Sequence, residues 1–114
     1  MSGLVFFRTE DEDRVVEFYR ERVGAEVWLE QDGCTILHHD EFKFGFCGRE
    51  ETDTEGIVTF YYDDRAAVDE MYDRLEDVAR SPPEDNEQYE VYQFFAEDPD
   101  GRTVEFQTFN HPLP

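Results

Sequence analysis

The feature that most constrains this chain is an internal repeat. Phe7, Asp11, Glu17 and Tyr19 come back 53 residues later as Phe60, Asp64, Glu70 and Tyr72. Further along, at an offset of 60, Gly45 aligns with Glu105 and Phe46 with Phe106. A chain that repeats its pattern once has to build one supersecondary unit twice. The lengthening of the offset predicts about seven extra residues in the second unit.

The pattern within each half supplies the elements. Residues 3–8 (GLVFFR) read as a buried strand. The acidic run at 10–13 opens a helix with Val15, Val16, Tyr19 and Val23 at helical spacing, closed by Gly24. Strands are predicted at 25–30, 34–39 and 42–47, with Asp32-Gly33 as a hairpin signal. The second half gives a strand at 57–62 and a helix at 64–78. A loop follows at 80–87, where Pro82-Pro83 blocks both helix and ladder. Strands at 89–97 and 102–109 flank the turn Asp98-Pro99-Asp100-Gly101. The expectation is one α+β domain over 1–114, made of two βαβββ modules over about 1–50 and 55–110.

Charge narrows the function classes. Thirty acidic residues stand against ten basic ones, a net of −20, and Lys43 is the only lysine. The acids divide evenly between the two halves, so they form a coat on a folded domain, not a tail. Such a coat suits a halophilic cytoplasm, where screening tolerates self-repulsion. Nothing basic is clustered enough to track phosphates, which disfavours nucleic acid. No apolar run approaches a membrane span and no secretory signal is evident. Cys34 and Cys47 form neither a disulfide framework nor a CxxC pair, so the expectation is a reduced, cytoplasmic protein.

FYRERVG (18–24), after an acidic helix start, and FFAEDPDGRTVEFQ (94–107) resemble the vicinal oxygen chelate superfamily. That group contains glyoxalase I, extradiol dioxygenases, and the fosfomycin- and bleomycin-resistance proteins. The resemblance covers nearly the whole chain. It implies two βαβββ modules forming a cupped mixed β-sheet, a homodimer, and a site inside the cup. Its enzymes hold a divalent metal through inward residues on the first and last strand of each module. Those positions fall here on Leu4, Gly45, Ile57 and Glu105. One carboxylate among Leu, Gly and Ile does not make the three or so ligands a catalytic ion needs. The resemblance therefore implies a metal-independent protein, with no cofactor, binding a small organic molecule. One alternative is a lyase, dioxygenase or isomerase that recruits a divalent metal through Glu105. Another is a dimeric interaction module with a vestigial site.

Strand alternation around those positions sets the inward residues. They are Leu4, Phe6 and Arg8, then Lys43, Gly45 and Cys47, then Ile57, Thr59 and Tyr61. Thr103, Glu105 and Gln107 complete the set, with Gln93 and Phe95 from the neighbouring strand. Glu105 is the candidate general base or cation-binding group. Its bland reading is a structural partner of Arg8 or Lys43. Arg8 is the candidate anion fork, its bland reading an internal ion pair. Lys43 is a candidate because it is the sole lysine. Cys47 is a candidate nucleophile or a small apolar filler. Tyr61 and Gln93 are hydrogen-bond donors to a ligand, or satisfied wall. Phe6, Thr59, Phe95 and Gln107 complete the expected lining.

Overall fold

The computed structural model describes residues 2–114, which divide into two compact units, 2–54 and 55–114. The first unit runs β1 (Leu4–Thr9), α1 (Glu12–Phe18), β2 (Glu26–Gln31), β3 (Cys34–His39) and β4 (Phe42–Gly48). The second runs β5 (Ile57–Tyr62), α2 (Arg65–Leu75), β6 (Glu84–Asn86), β7 (Val91–Glu97) and β8 (Thr103–Phe109). Each unit is a four-stranded mixed sheet, ordered β1-β4-β3-β2 and β5-β8-β7-β6. First and last strands pair in parallel, and the remaining pairs are antiparallel. The expected pair of βαβββ modules is the observed architecture.

Each repeated residue marks one structural device. Asp11 and Asp64 are the N-caps of the two helices, accepting from the backbone N–H of Arg14 at 3.2 Å and of Ala67 at 2.9 Å. Phe7 stacks on Phe46, and Phe60 stacks on Phe106. Tyr19 packs on Phe44 and Phe46, and Tyr72 meets Phe94 edge-on. Each sheet thus buries one aromatic face under its helix. In the first unit Val15, Phe18 and Tyr19 cover Leu37, Phe44 and Phe46. In the second, Val68, Met71 and Leu75 cover Phe60, Phe94, Val104 and Phe106. Each buried aromatic or branched side chain contributes roughly 1.5–3 kcal/mol.

Three details differ from expectation. The first helix does not run regularly to Val23. Past Phe18 it widens into a π-type turn over Tyr19–Val23, which Gly24 ends at φ 95°. The loop at 80–87 contains the edge strand β6, paired to β7 through Glu84↔Gln93 and Asn86↔Val91. Its three polar residues carry no alternation, so the partner strand alone imposes it. Cys34 and Cys47 are joined by a disulfide, which corrects the expectation of two reduced cysteines. A spacing of 13 residues carries no signal, but the β3–β4 register sets the two directly opposite each other. The inference of a reducing compartment loses its support with that pairing.

The Asp98–Gly101 turn is more than a backbone reversal. Asp98 Oδ1 accepts from the N–H of Asp100 at 2.9 Å and of Arg102 at 3.0 Å. Its Oδ2 takes Arg102 Nη1 at 2.6 Å, with both side chains fully buried. Gly101 sits at φ 83°, where a side chain would be strained. This staple fixes Glu97↔Thr103, and so places Phe95 opposite Glu105.

Candidate functional site

The face of the second sheet opposite α2 holds a cleft of about 420 Å³. Ile57, Tyr89, Val91, Phe95 and Phe109 form its apolar walls. Asn86, Gln93, Gln107 and Glu105 supply its polar atoms. The strand pairing explains the grouping. Gln93 faces Gln107 and Phe95 faces Glu105 across β7–β8, while Thr59 faces Glu105 across β5–β8. Strand alternation brings these residues to one face and sends Phe60, Phe94 and Phe106 to the other.

Glu105 is half-buried on this face, and its Oε1 accepts the Thr59 hydroxyl at 2.8 Å. Arg8 is held within the first unit. Its Nη2 and Nε reach Asp53 at 2.8 and 3.1–3.2 Å, its backbone N–H reaches Asp53 Oδ2, and Nη1 meets Glu51 at 2.9 Å. The hydrogen bonds Arg8 donates to Asp53, then the charge of that carboxylate, raise the Arg8 pKa above its ordinary value. The expected anion fork is thus occupied by the protein's own carboxylates. Lys43 lies over the Trp28 ring, 5.1 Å from its centroid. Trp28 is positioned for this by the bulge between Val27 and Leu29.

Cys47 offers no thiol, because it is half of the disulfide. Phe6 lies flat against Gly45, where a Cβ would sit 2.8 Å from two ring carbons. The repeat sharpens this contrast. Phe6 and Gly45 in the first unit occupy the register of Thr59 and Glu105 in the second. A large ring over glycine replaces a hydroxyl bonded to a carboxylate. Tyr61 is 59% exposed and touches Phe109 edge-on, outside the cleft lining.

The structure therefore brings Gln93, Phe95, Gln107 and Glu105 together in one cleft, with Thr59 behind the carboxylate. Phe6, Arg8, Lys43 and Cys47 belong to the first unit, each engaged as described. Asn86, Tyr89, Val91 and Phe109 are lining residues absent from the sequence reading. Asn86 comes from the Pro-broken stretch, where no periodicity marks a face, whereas Tyr89, Val91 and Phe109 share the alternation of Gln93 and Glu105.

The four positions the resemblance assigns to metal hold one oxygen donor. Leu4, Gly45 and Ile57 supply none, and the Gly45 position is filled by the Phe6 ring. Among the described residues, no group of three His, Cys, Asp or Glu is placed to hold a metal ion. This donor set does not fit a divalent ion. His38 and His39 point to opposite faces of β3, opposite Lys43 and Phe42. His38 lies 3.6 Å from Glu26.

Two βαβββ units, each with a helix on one sheet face, and a cleft on the open face of the second define a class of fold. The chain belongs to the Glyoxalase/Bleomycin resistance protein/Dioxygenase superfamily, whose family model matches residues 3–106. No curated protein matches the sequence. Among solved structures, an integron cassette protein from the mobile metagenome of a Halifax Harbour sewage outfall is similar with a TM-score of 0.82 and 17% identity. The match covers 96% of this chain and 98% of that one. A glyoxalase/bleomycin resistance protein/dioxygenase from Alicyclobacillus acidocaldarius gives 0.80 at 15% identity, covering 97% and 92%. A lactoylglutathione lyase from Agrobacterium tumefaciens gives 0.77 at 21% identity, covering 95% and 92%. At these identities the likeness carries the fold alone. No described helix is long and apolar enough to cross a membrane.

Proposed function

We propose that the protein binds a small organic molecule in the cleft of its second unit, without a divalent metal. One observation carries this reading. Glu105 is the only donor among the four family metal positions, and it faces a 420 Å³ cleft walled by aromatic and branched side chains. A concave, largely apolar site with a few convergent polar groups is the form small-molecule sites take. The lyase activity of the Agrobacterium relative is not carried across, because it shares only 21% of its residues with this chain.

Metal analysis of protein purified without chelator tests the reading. Expected is no stoichiometric Mn, Fe, Ni or Zn. A stoichiometric metal that disappears in Glu105→Ala overturns it. A thermal-shift screen of metabolites tests the cleft; a complete lack of hits from low to molar salt counts against it and favours an interaction module.

The same reading makes the working form a homodimer. It is supported by the exposed Leu4, Phe6, Trp28 and Ile57, apolar side chains that a second copy would cover. Light scattering behind gel filtration checks this, and a monomer at micromolar concentration sinks it.

A further inference from the structure

We propose that the cleft of the second unit takes an organic cation, an amine or quaternary ammonium carried on a hydrophobic body. This rests on the small-molecule reading above and specifies the ligand's charge. Among the described residues, Glu105 is the only carboxylate in the lining, and no Arg, Lys or His lines the cleft. Its described side-chain partner is a neutral hydroxyl, Thr59, which orients the carboxylate without cancelling its charge.

A carboxylate ringed by apolar side chains is costly to dehydrate unless a cation joins it. An anionic ligand entering the cleft meets Glu105 with no compensating positive charge. A cationic ligand gains the carboxylate and an aromatic lining of Phe95, Tyr89 and Phe109, and aromatic rings attract ammonium groups. Gln93 and Gln107 lie opposite each other on β7 and β8 and offer amide donors and acceptors to the rest of the molecule. The net charge of −20 adds a long-range field that concentrates cations near the surface.

The test compares benzyltrimethylammonium, benzyl alcohol and benzoate, titrated into the full chain and followed by NMR and calorimetry. Titrations are run in 1 M KCl, where the diffuse field of the acidic coat is screened within about 3 Å. The cation is expected to shift the resonances of Gln93, Phe95 and Gln107. It should bind about tenfold more tightly than benzyl alcohol, with benzoate weakest. Glu105→Gln should abolish the preference for the cation. Glu51→Gln, an equal change of net charge in the first unit, should leave it intact. A thermal melt of Glu105→Gln beside wild type, with a single cooperative transition in both, guards against a folding artefact in the Glu105 variant. Equal affinity for benzyl alcohol and the cation, or a preference that survives Glu105→Gln, overturns the proposal while leaving a small-molecule cleft standing. No response of the cleft residues to the cation also overturns it. Neutral or anionic hits in the metabolite screen then show whether the broader reading survives.

Discussion

Arg102 should be among the most stability-critical residues in the second unit, and Arg102→Met measures it. Its guanidinium and the Asp98 carboxylate are both fully buried, 2.6 Å apart. Removing one partner of a buried pair costs about 3–5 kcal/mol, because the remaining charge is left uncompensated. Asp98 retains two backbone donors on Oδ1, from Asp100 and Arg102, so its carboxylate keeps part of its hydrogen bonding. That places the expected loss at the lower end, about 3 kcal/mol. Methionine preserves most of the side-chain stem, so the loss reads charge and hydrogen bonding more than packing. For a chain of 114 residues this corresponds to a fall in Tm of about 12 °C. Urea unfolding in 1 M KCl, followed by far-UV circular dichroism and by Trp28 fluorescence, gives the free energy. Trp28 reports the first unit and the dichroism both, so separate transitions for the two units would be visible. The double variant Asp98→Asn/Arg102→Met removes the stranded charge and should recover at least about 1 kcal/mol over the single. A single variant within 1 kcal/mol of wild type, or a double variant no better than the single, would refute the buried-pair argument.

The Cys34–Cys47 disulfide closes a 13-residue separation, so its reduction should cost about 2–3 kcal/mol through loop entropy. Melts with and without a phosphine reductant, beside the Cys34→Ser/Cys47→Ser variant, check this; alkylation of both cysteines in unreduced, unfolded protein would contradict the pairing. His39 has a pKa lowered chiefly by burial from the ordinary 6.5. The unfolded chain therefore binds a proton there that the folded chain resists. Stability is fully present above about pH 6.5 and falls as pH drops through that value towards the lower folded pKa. The Tm difference between wild type and His39→Gln should change between pH 7.5 and 5.5, and a constant difference would count against it. Finally, the acidic coat predicts a Tm that climbs from low salt to molar KCl, and a flat profile would remove the case for a salt-adapted source.

The cleft depends on a division of labour between the two repeats. In the first, Phe6 closes over Gly45 and leaves no polar group at that register. In the second, the equivalent strand positions carry Thr59 and Glu105, bonded to each other and open to a cavity. Gly45→Ala would force the Phe6 ring aside, since a Cβ would lie 2.8 Å from it, yet that ring is 47% exposed and can move. Repetition of the fold thus does not require repetition of the chemistry.

The repeat, the strand alternation and the helix starts were legible in the sequence because they are local or periodic. Asp11 and Asp64 start helices wherever an apolar helical pattern follows them, and Phe7 and Phe60 lie on the helix-covered face of a strand by period two. The same alternation put Gln93, Phe95, Glu105 and Gln107 on one face, and the structure gathers these four around the cleft. Side-chain pairings were not legible. Arg8 with Asp53, Lys43 over Trp28, Cys34 with Cys47 and Arg102 buried against Asp98 are settled by register, a bulge and depth in the fold. A charged side chain's partner is chosen by whichever opposite charge or ring the folded chain brings within a few ångströms, and one-dimensional order does not record that distance. Composition and period therefore determined the two-unit fold and the face on which Glu105 stands; the tertiary structure alone decided that Thr59 donates to it, in an aromatic cleft whose described lining holds no basic side chain.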